Sequence, residues 1–407
     1  MAFVCEISMK LLRLSLTQFR NFARLDVDVP GGMVLIVGSN AQGKTSILEA
    51  IYFLATLSSF HAQHSRELVN LLEGRKPLAV GRITAEYEKG GNTHRIEIRI
   101  IQERTKRGVL RGRKEVLVDG VKKRLREAIG CFNAVLFLPQ MMQTIEGSPG
   151  KRRRFLDMLI SQVSPHYAET LADYRQILSQ RNALLKKLNE KGGDSSQLDF
   201  WDQRLAKRGA AIIAERIGAV QEVEMLATRI HNELTRANEV LRFSYQPAYD
   251  PLPKAEQQMQ LMDAPADRSK YDSARIEEGF LSALKNTHRR EVLRGQTMIG
   301  PHRDELRFIS NGIDLGVYGS RGQIRTAMMT LKLAEINWIK QKIGEWPVLL
   351  LDEVLAELDE ERRQDLLVHV NNGQQALLTT TDINLFAPEF LEKVQMWHIR
   401  DGKLIEQ

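Results

Sequence analysis

The sequence predicts an α/β domain that is assembled from both ends of the chain and carries an inserted α-helical arm. Three observations predict this class. A phosphate-loop motif, Gly38–Thr45, follows an apolar strand pattern near the amino terminus. An apolar run that ends in Asp352-Glu353 lies near the carboxyl terminus, and leucines at helical spacing fill the middle. We therefore assign residues 1–150 and 291–407 to two parts of one domain, and residues 151–290 to the arm.

The amino-terminal part has the pattern of paired strands around one buried strand. Leu12, Leu14 and Leu16 alternate with polar residues, and a second alternating run at 25–29 predicts an antiparallel partner. The wholly apolar run 33–37 predicts a strand that is buried on both faces, and a helix is expected from Ser46 to Leu57. Turn residues at 89–92 and 119–120 predict two further hairpins.

The middle of the chain has helical periodicity. Leucines and aromatic residues recur at spacings of three and four over 171–188 and again over 198–212, and Gly192-Gly193-Asp194 separates the two runs. This pattern predicts an antiparallel pair of helices. The polar, proline-containing stretch 245–272 predicts a loop or small insertion.

Composition excludes several classes of protein. The 407 residues include two cysteines, too few for a disulfide framework, which favours a reducing cytoplasmic compartment. We find no apolar run of about 20 residues and therefore expect no membrane span. Lys and Arg number 58 against 51 Asp and Glu, and the net charge of +7 suggests a polyanionic partner.

The phosphate loop carries the first candidate site. Its glycines allow backbone N–H groups to surround phosphate oxygens, and the helix that follows adds a favourable dipole. Lys44 is expected to reach the β- and γ-phosphates of ATP, and the Thr45 hydroxyl is expected to bind Mg²⁺. The predicted nucleotide-binding residues here are Gly38, Ser39, Asn40, Ala41, Gln42, Gly43, Lys44, Thr45 and Ser46.

The acidic pair after the late apolar run completes the predicted catalytic set. Ligands bind at the carboxyl ends of strands in open α/β sheets, where Asp352 and Glu353 are placed. Asp352 is expected to hold Mg²⁺ through water, and Glu353 to orient or deprotonate the attacking water. Lys44, Asp352 and Glu353 are the catalytic candidates.

Two clusters of basic residues are candidates for DNA binding. The first lies within 104–126, where Lys122, Lys123 and Arg124 are consecutive, and the second is the run Lys151–Arg154, with Arg152 and Arg153 at its centre. Both clusters can neutralise phosphates without reading base sequence.

Several blocks together resemble the ABC-type ATPase heads of DNA-repair and chromosome-structuring proteins, and among these the RecF family of recombination mediators. The blocks occur in the family order along nearly the whole chain, and they are Phe19–Phe22, Gly38–Thr45, Gly147–Pro149 with Arg152–Asp157, Gly300–Glu305, Ser320–Gln323 and Asp352-Glu353. The chain departs from the family pattern at Leu138–Met141, where Gln140 is the best candidate for sensing the γ-phosphate. It also lacks the expected arginine after Phe60.

The resemblance implies that ATP is sandwiched between two protomers of a homodimer that hydrolyses it slowly. Ser320, Gly322 and Gln323 would form the signature motif that faces the partner's nucleotide, and Asp359 would cross the dimer interface. Thr380 or Thr381 would be the switch residue, with Thr381 preferred. For His302 and Arg303, a structural role and a nucleotide or DNA contact both remain open.

The family also implies a function and partners. These are ATP-dependent binding to DNA at single-strand gaps and to duplex, help in loading RecA, and contact with RecR and RecO, all in the cytoplasm at the nucleoid. A transporter ATPase subunit, a chromosome-structuring head with long coiled coils and a nuclease fused to an ABC head are the alternatives. The arm is too short for the second, and no extra carboxylate-rich domain supports the third.

Overall fold

The computed structural model describes residues 9–104, 109–252, 268, 270–370, 373–400 and 402–405. The chain divides into two compact units. The head unit comprises Met1–Met141 and Glu335–Gln407, and the arm unit comprises Met142–Ala334.

The strands of the described residues are numbered along the chain. They are β1 (Lys10–Phe19), β2 (Phe22–Asp28), β3 (Met33–Val37), β4 (Leu78–Lys89), β5 (Asn92–Arg104), β6 (Leu110–Val118), β7 (Val121–Lys123), β8 (Ala134–Phe137), β9 (Leu241–Gln246), β10 (Glu305–Ser310), β11 (Ile313–Asp314), β12 (Val348–Asp352), β13 (Ala376–Thr380), β14 (Gln395–Arg400) and β15 (Lys403–Ile405).

The helices are numbered in the same way. They are α1 (Lys44–Thr56), α2 (Leu125–Ala128), α3 (Gln143–Glu146), α4 (Pro149–Val163), α5 (Pro165–Lys191), α6 (Leu198–Leu234), α7 (Ser273–Arg294), α8 (Leu315–Tyr318), α9 (Arg321–Ile343), α10 (Glu360–Val370) and α11 (Pro388–Leu391). Short 3₁₀ turns occur at Ser65–Leu68, Glu73–Arg75, Pro139–Met142, Ser195–Gln197, Pro301–Arg303, Val354–Glu357 and Ile383–Leu385.

A mostly parallel sheet joins the two ends of the chain in the head unit. Its strand order is β15-β14-β3-β13-β12-β8, so β3 from the amino-terminal part lies between two strands from the carboxyl-terminal part. Val37 pairs with Thr380, which brings the end of β3 beside the end of β13. Immediately before β13, the Gln375 side chain also joins the carboxyl-terminal part of the chain to the amino-terminal part, since it bonds to Leu11 N and O and to Pro30 O. The expected α/β domain built from both chain ends is confirmed.

An antiparallel sheet of order β2-β1-β4-β5-β6-β7 forms the second layer of the head unit. Leu16 pairs with Leu25, as the alternating patterns predict, and the hairpins at 89–92 and 119–120 are present. Leu14, Ile83 and Ile98 of this sheet share one apolar core with Ile47 and Ile51 of α1. That core fixes α1, and with it the phosphate loop, between the two sheets.

The arm unit contains the predicted helical hairpin. Asp173 of α5 pairs with Arg208 of α6, and Arg181 pairs with Asp202, so the two helices run antiparallel. A three-stranded antiparallel sheet of order β11-β10-β9 belongs to the same unit. The predicted loop over 245–272 falls largely on 253–267 and 269, which lie outside the described residues.

The observed division of the chain differs from the expected boundaries at 150 and 290. The arm unit begins at Met142 and continues to Ala334, within α9. Residues 291–334 remain in it because β10 pairs with β9, and because Asp304 accepts hydrogen bonds from Arg216 and Tyr245. The chain re-enters the parallel sheet only at Val348.

Candidate nucleotide-binding site

The phosphate loop is a strand–loop–helix turn between β3 and α1. Lys44 Nζ folds back over the loop and donates to Gly38 O at 2.8 Å and to Ser39 O at 3.1 Å. Gly43 has φ +117°, and a Cβ there would lie 2.6 Å from Asn21 Nδ2 and 2.8 Å from the Phe22 ring. Only glycine fits this position. The N-cap of α1 is Gly43, which has no side chain to cap the helix, and this leaves the first backbone N–H groups of α1 to bind an anion.

The acidic pair at the end of β12 lies against this loop. Thr45 Oγ1 donates to Asp352 Oδ1 at 3.0 Å, and Lys44 Nζ lies 3.2 Å from Glu353 Oε1. Glu353 has φ +53°, an unfavourable conformation for a non-glycine residue that is often found at functional sites. The two motifs are close together although most of the chain separates them in sequence.

Thr379, which the sequence interpretation missed, holds the acidic pair in place. Its Oγ1 donates to Asp352 Oδ1 at 2.7 Å and accepts from Glu353 N at 3.0 Å. Burial raises the pKa of the Asp352 carboxyl, and nearby Glu353 raises it further, while the bonds from Thr379 and Thr45 oppose the shift. The Thr45 hydroxyl and the Asp352 carboxylate together offer the oxygen ligands that Mg²⁺ prefers, so the residues fit a magnesium ion.

An ion pair between the partly exposed Arg20 and the buried Glu49 supports the back of α1. Arg20 forms a two-pronged contact with Glu49 at 2.6 and 2.8 Å, and Ser59 Oγ also bonds to Glu49. Asn21 Nδ2 donates to Gln42 O in the phosphate loop at 3.0 Å. The signal that could have revealed this support is Glu49 itself, a carboxylate on an otherwise apolar helix face.

The phosphate loop opens into a cleft of about 990 Å³ within the head unit. Lys44, Thr45 and Glu353 line one part of it, and Arg66, Arg75 and Arg104 line another. His61 also lines the cleft at the position after Phe60, where the family pattern has arginine. The basic side chains of this cleft suit a ligand that combines several negative charges with an organic group.

The other nucleotide candidates of the head unit are exposed. Gln140 lies in the turn after β8, and Thr381 follows β13. Thr380, the alternative to Thr381, is buried and bonds to Asp382. Asp359 caps α10 by accepting from Arg362 N at 2.9 Å, and this bond holds the pKa of its carboxyl below the usual range.

The signature residues lie in the arm unit at the start of α9. Ser320 N donates to Gln323 Oε1 at 3.1 Å, and Gln323 N donates to Ser320 Oγ at 3.2 Å. This reciprocal pair is a capping box. Gly322 lies between them, and its carbonyl accepts from Thr326 Oγ1.

The two basic clusters are used differently. The hairpin cluster (Lys122, Lys123 and Arg124) is exposed on and after β7. Lys122 and Arg124 each have an acidic neighbour, at 3.0 and 3.8 Å respectively, yet their side chains remain 66% and 71% exposed. Elsewhere in the same basic segment, Lys114 is held by Leu57 O, and Lys106 and Arg107 lie outside the described residues.

The helix cluster (Lys151–Arg154) makes contacts within the arm unit at its centre. Arg152 is 11% exposed and makes a two-pronged contact with Glu305 at 2.7 and 2.8 Å. It also donates to Ile145 O and Gly147 O. Arg153 donates to Asp304 O at 2.7 Å. Arg152 and Arg153, which the sequence predicts as DNA ligands, thus both have partners within the arm unit.

The block Gly300–Glu305 also has structural contacts. His302 Nδ1 bonds to Tyr174 Oη at 2.7 Å and its Nε2 lies 3.3 Å from Thr297 O, both within the arm unit. Burial lowers the pKa of His302 to about 4. These contacts favour the structural role for His302.

Comparison with known proteins gives one consistent family. A family model described as the RecF/RecN/SMC N-terminal domain matches residues 10–398. A DNA replication and repair protein RecF from Chloroflexus aurantiacus is 38% identical over 402 residues, covering 96% of this chain and 98% of the relative.

Two solved structures of the recombination mediator protein RecF in the RecFOR pathway are also similar. RecF-ATPrS has a TM-score of 0.82 at 29% identity over 98% of both chains. RecF-ATP has a TM-score of 0.81 at 29% identity over 98% of this chain and 100% of that one.

The family comparison does not favour a transporter subunit or an ABC-head nuclease. Among the helices of the described residues, none combines the length and apolar character needed to cross a bilayer. The fold is that of an ABC-type ATPase head, and the match extends over both units. This chain therefore belongs to the RecF family of DNA replication and repair proteins.

Proposed function

We propose that this chain is an ATP-dependent DNA-binding protein of recombinational repair and replication. It binds DNA at boundaries of single and double strands, as a dimer that ATP closes, and it aids the loading of RecA. The observation that carries this proposal is the convergence of Lys44 and Thr45 with Glu353 and Asp352 at the mouth of one cationic cleft.

The head residues support binding and slow hydrolysis of ATP. The Lys44 ammonium currently spans two loop carbonyls and Glu353, and a bound triphosphate would take over this cation. Glu353 would then be free to orient the attacking water, in the conformation held by Thr379. Thr45 and Asp352 would hold Mg²⁺, which would neutralise charge on the phosphates. We propose a weak, DNA-stimulated ATPase activity.

Closure requires a second copy of the chain. Ser320 and the Gly322 N–H would bond to the γ-phosphate held by the partner subunit, and α9 would direct its positive end toward it. Gln140, Asp359 and Thr381 would complete the contacts at the dimer interface. Hydrolysis removes the bridging phosphate, so the affinity between the protomers falls.

The hairpin cluster supports the DNA contact, since Lys122, Lys123 and Arg124 present three cations to solvent. Such contacts bind the phosphate backbone of any base sequence. RecR and RecO are the proposed protein partners, RecA is an indirect one, and the nucleoid is the proposed location.

The test is retention of DNA by Lys44→Ala and Glu353→Gln variants with and without ATP and Mg²⁺. Lys44→Ala is expected to show no response to ATP, because it lacks the cation that holds the triphosphate. Glu353→Gln is expected to hold DNA longer than the wild type, because it binds ATP without hydrolysing it. Glu360→Gln, an exposed change on α10, is the matched control. Equal DNA retention by all four proteins would refute the proposal.

A further inference from the structure

The side chain of Gln323 connects the signature loop to a second element. Its Oε1 accepts from Ser320 N, and its Nε2 donates to Glu239 Oε1 at 3.3 Å. Glu239 follows the long arm helix α6, which ends at Leu234. One amide group therefore bridges the loop and the end of the arm.

Glu239 is itself held on its other oxygen. Oε2 accepts from Ser310 Oγ at 2.8 Å and lies 3.5 Å from Nε2 of the fully buried His231. His231 Nδ1 lies 3.0 Å from Thr330 Oγ1, which is on α9, the helix that begins with the signature motif. Burial opposes ionisation of Glu239, but the hydrogen bonds from Ser310 and Gln323 and the nearby His231 ring hold its pKa below the usual value. An ionised carboxylate accepts both hydrogen bonds without a proton of its own.

The connection that carries Glu239 is held by hydrogen bonds to a neighbouring loop. Arg236 and Ala237 have φ +52° and +61°, so the turn after α6 is tight. Asn311 bonds to Val240 N at 3.0 Å and to Asn238 O at 3.2 Å, which fixes this turn to the loop between β10 and β11. A displacement of the end of α6 would therefore also displace Glu239.

We propose that Glu239 is a positioning residue that couples the end of arm helix α6 to the signature loop, through Gln323. The proposal rests on the proposed function, in which Ser320 and Gly322 close on the partner's nucleotide. Glu239 itself touches no nucleotide. It sets the orientation of the Gln323 amide, and so of the Ser320 backbone that must meet the γ-phosphate.

The coupling acts in both directions. A ligand that binds the arm helices and shifts them would change the affinity of the signature loop for the partner's nucleotide. Closure on that nucleotide would change the affinity of the arm for the ligand by the same free energy. The arm would thus report the nucleotide state of the dimer.

Three variants separate this role from simple loss of stability. Glu239→Ala removes the acceptor, whereas Glu239→Gln keeps an acceptor for Gln323. The matched control is Glu233→Ala, which removes a carboxylate that is 56% exposed and lies 4.0 Å from Arg229 on α6. Each protein is tested for nucleotide affinity as a dilute monomer and for its dimer dissociation constant at saturating ATP.

Glu239→Ala is expected to raise the dimer dissociation constant on the order of tenfold, as loss of a hydrogen bond to a charged group implies. Its monomer should bind ATP within about twofold of wild type, because the phosphate loop keeps its contacts. Glu239→Gln should recover most of the dimer affinity. In a Gln323→Ala background, Glu239→Ala should have little further effect on the dimer affinity, because the contact that the two residues share is already lost.

Hydrogen exchange without nucleotide tests the coupling apart from dimerisation. Amides 319–325 should exchange faster in Glu239→Ala, and at the wild-type rate in Glu233→Ala. Unchanged exchange at these amides, or an equal loss of monomer ATP affinity and dimer affinity, would overturn the proposal. A wild-type chain that stays monomeric in ATP would refute the proposed dimer, while the exchange result still decides the coupling.

Discussion

The hairpin cluster and the helix cluster are both runs of consecutive basic residues, three in the first and four in the second, yet their side chains differ in how available they are to a ligand. Lys122, Lys123 and Arg124 lie on a short edge hairpin and are exposed. Arg152 lies in the first turns of α4, where Glu305 and two backbone carbonyls occupy its guanidinium. A count of charges therefore does not identify a DNA surface, because a cation that is both paired and buried has little left to offer a phosphate.

The largest effect expected from this contrast is on stability. Arg152→Ala leaves Glu305 without its partner and two carbonyls without a donor, and should lower the free energy of unfolding by about 2 to 3 kcal/mol. Urea denaturation measures it. Lys123→Ala, the control from the hairpin cluster, should change stability by less than about 0.5 kcal/mol. Equal effects of the two changes would contradict the distinction.

A second prediction concerns His302, which lies in the block Gly300–Glu305. Asp304 and Glu305 of this block contact Arg153 and Arg152 of the helix cluster. His302 has a pKa of about 4 in the folded chain, below its usual value near 6.5. The unfolded chain therefore takes up a proton first as the pH falls, and stability that is present above about pH 6.5 is lost toward pH 4. Between pH 7 and pH 5 this group should account for about 2 kcal/mol of lost stability.

His302→Gln keeps hydrogen-bonding groups but does not titrate. The difference between wild type and variant in free energy of unfolding, measured by denaturation at a series of pH values, isolates the histidine from other groups. A variant whose stability falls with pH as steeply as that of wild type would show that His302 is not held neutral.

The smallest effect is expected for DNA binding. Changing Lys122, Lys123 and Arg124 together to Ala should weaken binding on the order of tenfold at all base sequences and flatten the salt dependence by about two to three in log–log slope. Fluorescence anisotropy over a salt series measures both. The control removes three exposed cations of α7, Lys285, Arg289 and Arg290. A salt slope unchanged from wild type would remove the hairpin cluster from the DNA surface.

The parts predicted well from sequence follow local rules. The phosphate loop needs glycines between a buried strand and a helix, and those residues are adjacent in the chain. The apolar run before Asp352 predicts a central strand, whose end must lie at the ligand edge of the sheet. The two alternating runs likewise predict an antiparallel pair of strands, in which the structure places Leu16 opposite Leu25.

The parts that sequence reasoning missed depend on contacts between distant residues. Glu305 pairs with Arg152, and no local pattern indicates that pairing. No local pattern indicates the bond between Thr379 and Asp352 or the ion pair between Arg20 and Glu49 either. The arm unit extends beyond the boundary expected at residue 290 because β10, although a strand, pairs within the arm unit.

The most direct test of the account is sedimentation velocity of the wild type and of Glu353→Gln, with and without ATP and Mg²⁺. The account predicts monomers without ATP, a dimer in ATP for the wild type, and a longer-lived dimer for Glu353→Gln. Chains that remain monomeric at saturating ATP would contradict the claim that a shared triphosphate joins two copies.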